Sequence, residues 1–340
     1  MKRAIASIAF GLAAASIAVS GASAQATLQS VKQKGFITCG AHTGLPGFSL
    51  PDAQGNWTGL DVDLCRGVAA AIFDDPNKAR FIPLVAKDRF TALQSGEVDL
   101  LARNTTVTMS RDTQLSLDFP AINYFDGQGF MVRKKLGVSS AKELNGASIC
   151  TQQGTTTELN LADYFRATNM KYEVVAFVTA EETFQAYDAG RCDAFTTDAS
   201  GLYSTRLTAS NPDEHIVLPE IISKEPLAAA VRHGDNQWGD IIRWVHNAML
   251  NAEELGVTKA NVEQMKNSPN PEIKRLLGSE GKFGEAIGLP NDWAVRVIKH
   301  VGNYGESFER NVGESSRLKI KRGQNALWTQ GGLQYGIPIR

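Results

Sequence analysis

Short apolar runs alternate with longer amphipathic segments along this chain, and the alternation runs twice. In the first pass Gly35–Ala41, Arg80–Val85 and Val98–Ala102 read as strands, with Pro46-Gly47-Phe48 interrupting the chain after the first. Between them Asp61–Phe73 places Leu64, Val68, Ala71 and Ile72 on one helical face, and Arg89–Ser95 is a short helix ending near Gly96. Strand–helix–strand–helix–strand predicts an α/β unit with a largely parallel sheet. The pattern pauses over Tyr124–Gly129, followed by Phe130–Arg133, and then resumes. Ala147–Thr151, Glu173–Phe177, Cys192–Thr196 and His215–Leu218 read as strands, and Thr156–Thr168, Ala180–Ala189 and Ser200–Leu207 as helices. A strand at Leu227–Val231 and a helix at Gln237–Asn251 follow, so a second α/β unit of about a hundred residues is nested inside the first. From Val257 onward the chain is helical or irregular. Trp328 and Tyr335 are expected to hold the tail Lys319–Arg340 against the body. The 340 residues suit two domains of ordinary size.

The N-terminus bears on the compartment. Met1-Lys2-Arg3 is cationic, Ala4–Val19 carries no charge, and Ala22-Ser23-Ala24 supplies a small-x-small cleavage pattern, with Ala24-Gln25-Ala26 overlapping it. This order is that of a secretory signal peptide, here 1–24. The apolar run falls short of the ~20 residues a membrane-spanning helix needs. In an oxidising compartment Cys39, Cys65, Cys150 and Cys192 are expected to pair. Of the three possible connectivities, Cys39–Cys65 with Cys150–Cys192 is preferred because each bridge stays within one half of the chain. Zinc is disfavoured, with no C-x-x-C and no histidine at ligand spacing.

Composition and motifs narrow the function. Thirty-five Lys+Arg against 36 Asp+Glu leave no basic excess for nucleic acid. No phosphate-cradling P-loop, nucleophile elbow or zinc-protease helix is present, and no cofactor or metal is expected. Asp61 and Asp63, two apart, do not share a helical face, and placement at a helix N-terminus explains them better than paired catalysis. Polar detail gathers where strands end and helices begin, the edge at which open α/β sheets bind ligands. Arg103–Asp112 offers hydroxyls, backbone groups and Arg111, an Arg being well matched to a carboxylate fork. Thr151–Glu158 contains a capping-box match at Thr155-x-x-Glu158 and a helix start that favours an anion. Thr196-Thr197-Asp198 puts a carboxylate at the same edge. Arg and helix N–H groups for a carboxylate, with an Asp for an ammonium, complement an amino-acid zwitterion.

Phe48-Ser49, Gly55–Cys65, Leu93–Asp99, Arg103–Asp112, Gly154–Leu161 and Ala189–Asp193 with Thr197-Asp198 closely resemble the general L-amino-acid periplasmic binding proteins. These belong to the polar amino-acid class of solute-binding proteins and serve ABC importers of Gram-negative bacteria. The likeness runs from about Leu28 to the C-terminus, tail included. It implies the bilobal type II periplasmic-binding-protein fold: two α/β lobes joined by two hinge strands, here with a C-terminal helical extension. Lobe 1 is expected at 25–125 and 229–340 and lobe 2 at 129–225, with crossings near Asp126-Gly127-Gln128 and Ser223–Pro226. By resemblance Arg111 grips the ligand α-carboxylate, with Thr106 contacting the same ligand, and the Asn104 carbonyl takes the α-ammonium. Thr156 donates an N–H to the carboxylate, Asp198 binds the ammonium, and Phe90 packs on the ligand side chain. Where narrower relatives place an acid and an aromatic, this chain has His42 and Leu45, which fits broad specificity. The resemblance further implies a periplasmic location and capture of L-amino acids for a permease with its cytoplasmic ATPase. A monomer is expected. The alternatives are a secreted cyclohexadienyl-type dehydratase on the same fold and a binding module for a sensory receptor.

Overall fold

The computed structural model describes residues 26–340, and the expected signal peptide, 1–24, lies outside the described residues. Helix α1 (Ala26–Lys34) leads into β1 (Ile37–His42). A small hairpin, β2 (Leu50–Pro51) and β3 (Trp57–Thr58), precedes α2 (Leu60–Phe73). Then come β4 (Ala79–Leu84), α3 (Arg89–Ser95), β5 (Leu100–Thr106), α4 (Met109–Thr113) and β6 (Leu117–Asp126). The second pass holds β7 (Gln128–Arg133), β8 (Ala147–Gln152), α5 (Thr156–Ala167), β9 (Tyr172–Phe177) and α6 (Ala180–Asp188). It ends with β10 (Ala194–Asp198), α7 (Ala199–Arg206) and β11 (His215–Val217). Strand β12 (Glu225–Arg232) leads to the long α8 (Asn236–Glu254). Five shorter helices follow: α9 (Val262–Met265), α10 (Pro271–Leu276), α11 (Phe283–Ala286), α12 (Trp293–Val301) and α13 (Tyr304–Asn311).

Two five-stranded sheets result, in the orders β4-β1-β5-β12-β6 and β11-β7-β10-β8-β9. The chain leaves the first sheet at Gly127, between β6 and β7, and returns to it between β11 and β12. Each sheet is mixed rather than largely parallel. Strands β1, β4 and β5 pair in parallel, as do β8, β9 and β10, while β12 runs antiparallel to β5 and β6, and β7 to β10 and β11. The antiparallel members are the strands that flank the two crossings. Tyr124–Gly129, expected to be a pause, is instead the end of one strand and the start of the next. The ten-residue β6 escapes a periodicity search because Asp118, Pro120, Asn123 and Asp126 break its apolar run.

Helix α8 owes its place to a stripe of buried Trp238, Ile241, Ile242, Val245, Met249 and Ala252, spaced for one helical face. The Asp235 carboxylate caps it, accepting the Trp238 N–H at 3.1 Å. This face joins α2, α12 and α13 in the large core of the first lobe, whereas the second lobe has smaller cores around Phe165 and Phe195. Cys39–Cys65 ties β1 to α2 and Cys150–Cys192 ties β8 to the approach to β10, the pairing preferred from sequence. Closing loops 26 and 42 residues long, such bridges contribute about 3–4 kcal/mol each by loop entropy.

The tail does dock, and Trp328 takes part as expected, its indole N–H donating to the Glu254 carboxylate of α8 at 3.2 Å. Trp328 and Tyr335 are 47% and 59% exposed, and their rings pack on each other. The buried part of the contact is made by Leu327, Asn325 and Gln334. The Asn325 amide pairs with Phe125 in both directions, accepting its N–H at 2.7 Å and donating to its carbonyl at 3.0 Å, one residue before the first crossing. A polar pair to a strand's main chain leaves no periodic trace in the sequence.

Candidate functional site

The first turn of α2 organises one wall of the cleft. Its N-cap, Gly59, has φ 136°, and a Cβ there would stand 2.0 Å from the Phe48 carbonyl oxygen, so only glycine fits. Asp61 and Asp63 lie in this first turn, as expected, but both are buried and reach different partners. Asp61 accepts the Asn104 N–H and the Asn123 amide, each at 2.8 Å. Asp63 accepts from Ser307 at 2.6 Å, Asn311 at 2.6 Å and Arg310, fastening α13 to α2. Asn104 has φ 33°, a left-handed residue within a strand, where β5 and β12 lose register. Asn tolerates that region better than most side chains, and the Asp61 carboxylate holds its peptide there.

His42, Leu45, Asn104, Thr106, Thr156 and Asp198 line one cavity of about 50 Å3 between the lobes. Arg111 and Phe90 are not part of this lining but adjoin it through Thr106. The Arg111 guanidinium donates to the Thr106 carbonyl at 2.7 Å and lies 5.1 Å from the Phe90 ring centre. Thr108 caps α4 and so orients Arg111, which follows three residues later. The Thr155 hydroxyl caps α5 by accepting the Glu158 N–H, but the Glu158 carboxylate returns to the Gly154 N–H instead of Thr155, leaving the capping box half formed.

Charge gathers here beyond what the motifs indicated. Arg89 and Arg103, 3% and 2% exposed, line the same cavity. Arg103 donates to the Leu84 carbonyl at 2.9 Å and leaves one terminal guanidinium nitrogen without a partner. Burial draws Arg103 and Arg111 down to about 10, still well above neutrality, and lowers Arg89 as well, with Arg103 and Arg111 adding to that effect. Burial raises Asp198 well above the carboxylate range, with Asp126 and Glu225 adding repulsion and Arg89 and Arg111 opposing it. Asp126, at the first crossing, is pushed up to about 6 by burial, although Ser200 and the Gly127 N–H bond it. His42 is driven well below its usual range by burial and then by Arg103 and Arg89, so this wall is neutral.

Glu225 was not foreseen. It is 1% exposed at the start of β12, where the chain re-enters the first sheet. Its carboxylate accepts from Thr106 of one lobe at 2.6 Å, and from Thr156 at 3.0 Å and Asn160 at 2.7 Å of the other. Ser223, in the crossing itself, adds a bond at 2.6 Å. The available signal was one acid opening the otherwise apolar strand Glu225-Pro-Leu-Ala-Ala-Ala-Val. Arg89 carried no signal, and Arg103 lay inside a recognised motif with no role attached. The lobes also meet where the Ser204 hydroxyl donates to the Pro46 carbonyl at 2.8 Å.

Two α/β lobes with two chain crossings and a charged cleft between them define a solute-binding protein of the bilobal type II class. The chain belongs to the bacterial extracellular solute-binding proteins, family 3, whose profile matches residues 37–260. It is 62% identical over 342 residues to the general L-amino acid-binding periplasmic protein AapJ of Rhizobium johnstonii, covering all of both chains. It is 57% identical over 332 residues to the glutamate/glutamine/aspartate/asparagine-binding protein BztA of Rhodobacter capsulatus, covering 97% of this chain and 98% of that one. A solved ABC-transporter periplasmic binding protein from Brucella ovis, with glutathione bound, superposes with a TM-score of 0.91 at 63% identity, covering 92% of this chain and 99% of that one.

Proposed function

We propose that this chain is a periplasmic solute-binding protein that captures L-amino acids, with broad side-chain tolerance, and delivers them as a monomer to the permease of an ABC importer driven by a cytoplasmic ATPase. The lobes are assigned as 25–125 with 229–340, and 129–225. One observation carries the reading: buried arginines on the first lobe face the Asp198 carboxylate of the second across a single cleft. Arg89, Arg103 and Arg111 favour a carboxylate, with Thr106 and the Thr156 N–H beside it, while Asp198 and the Asn104 carbonyl favour an ammonium. That is the charge pattern of a free α-amino acid. The side-chain wall, a neutral His42 and Leu45, discriminates weakly, and AapJ and BztA are both named for several amino acids. Glutathione, held by the Brucella ovis protein, also presents a free amino-acid head on its γ-linked glutamate.

Lobe 1 would hold the ligand first, and the contacts from Thr156 and Asp198 then favour the closed form, because a ligand drives closure only through its differential affinity for that form. No chemical step is part of this reading, and prephenate and arogenate are expected to remain unconverted. Charge-assisted hydrogen bonds are worth roughly 1.5–3 kcal/mol each. Arg111→Ala and Asp198→Ala are each expected to weaken amino-acid binding at least about tenfold in calorimetry across the standard amino acids. Unchanged affinity in both variants would overturn the assignment.

A further inference from the structure

The inner cleft opens into a second and much larger space. An outer chamber of about 950 Å3 lies between the lobes, and His42, Leu45, Ala180 and Thr205 line both it and the inner cavity. These four residues are a doorway: His42 and Leu45 come from the first lobe, Ala180 and Thr205 from the second. Two of them, His42 and Leu45, form the wall assigned above to the ligand side chain. A side chain leaving the inner cleft past this wall enters the chamber.

The chamber walls carry three acids and three arginines, but these are paired unequally. Its acids are already engaged: Asp63 by Arg310, Ser307 and Asn311, Asp188 by Ser210 and His215, and Glu181 by Gln185. Arg66 on α2 and Arg317 beyond α13 line the same space, and among the described residues their side chains make no hydrogen bond or ion pair. Leu50, Phe184 and Leu318 add apolar surface to the same lining. The charged side chains of the chamber left without any partner are therefore the two arginines, and neither lines the inner cavity.

We propose that the outer chamber receives amino acids extended through their side chains by an amide-linked residue that ends in a carboxylate, with Arg66 and Arg317 meeting that distal carboxylate. The linkage follows from the inner cleft, and the inference rests on the amino-acid reading given above. A cleft that reads both a free α-ammonium and a free α-carboxylate on one carbon rejects an ordinary dipeptide, since neither of its residues keeps both groups. A γ-linked glutamyl peptide keeps both on its glutamate and sends the second residue outward.

Linkage isomers of one composition test this directly. Calorimetry on the full chain compares L-glutamine, γ-L-glutamylglycine and α-L-glutamylglycine. The expected result is binding of glutamine and the γ-isomer and at least tenfold weaker binding of the α-isomer. An Arg66→Ala/Arg317→Ala variant is then expected to weaken the γ-isomer about fivefold or more and to leave glutamine unchanged. Glutamine bound without the γ-isomer, both isomers bound equally, or a variant that weakens neither ligand or both alike would overturn the chamber assignment while leaving the amino-acid reading intact. Failure of every standard amino acid to bind would instead remove the reading on which it rests.

Discussion

The His246 imidazole is 4% exposed, with its ring edge-on to Tyr304 at 5.7 Å between centres. Burial pushes it down to about 4 from the ordinary 6.5, only partly offset by hydrogen bonds to Gln334 and the Ile122 backbone. Between those values the folded chain binds fewer protons than the unfolded chain. The resulting stability is complete above pH 6.5 and is lost as pH falls through 6.5 toward 4, by about 3 kcal/mol in all. Urea unfolding of the wild type is expected to lose roughly 2–3 kcal/mol more between pH 7.5 and 4 than that of His246→Gln. Parallel losses in the two proteins would refute the buried neutral imidazole. The position is silent in sequence, where His246 is one of five scattered histidines. Its chemistry depends on a tail residue 88 positions away, Gln334, being packed above it.

Among the elements, the entry to α2 is where local geometry is least forgiving. Gly59 combines φ 136° with a Cβ site 2.0 Å from the Phe48 carbonyl oxygen, whereas Gly55, at φ 82°, has open space around its Cβ site. Gly55→Ala is expected to cost about 1–2 kcal/mol, the usual left-handed penalty. Gly59→Ala is expected to cost at least about 3 kcal/mol in urea unfolding, because the clash adds to the strain and must move the 45–49 loop or the helix. Equal losses would show that the approach to Phe48 is not rigid. Elements with a strong period, such as α2, α3 and α8, were readable because each carries its own apolar face. Strand β6 was not, its run being broken by polar residues whose partners lie elsewhere: the Asn123 side-chain amide donates to Asp61, and the Asn123 backbone carbonyl accepts the Tyr304 hydroxyl at 2.8 Å.

At the scale of the molecule, Glu225 is the point where both lobes and one crossing share a single carboxylate. Removing its charge while keeping its shape takes away charge-assisted bonds that favour the closed arrangement, at roughly 1.5–3 kcal/mol per bond. Glu225→Gln is therefore expected to leave each lobe folded and to shift the lobes apart. The radius of gyration of the ligand-free chain in small-angle scattering should rise, and amino-acid affinity should fall about tenfold. Unchanged scattering together with unchanged affinity would show that the carboxylate does not couple the lobes. Thr106 and Glu225 are 119 positions apart in the chain, and no local pattern announces such a pair.

Local order was written in the sequence itself: two passes of strand and helix, a cysteine pair within each half, and loops at strand ends bearing Thr106, Arg111, Thr156 and Asp198. These depend on periodicity, capping and turn chemistry acting over about a dozen residues, which a linear reading can detect. Tertiary structure alone decided which charges share the cleft, bringing Arg89 and Arg103 to its lining and Asp126 and Glu225 close enough to act on Asp198, docking the tail beside Phe125 and opening the outer chamber past His42 and Leu45. The weakened acidity of Asp126 and Asp198 comes from burial away from water in the folded molecule.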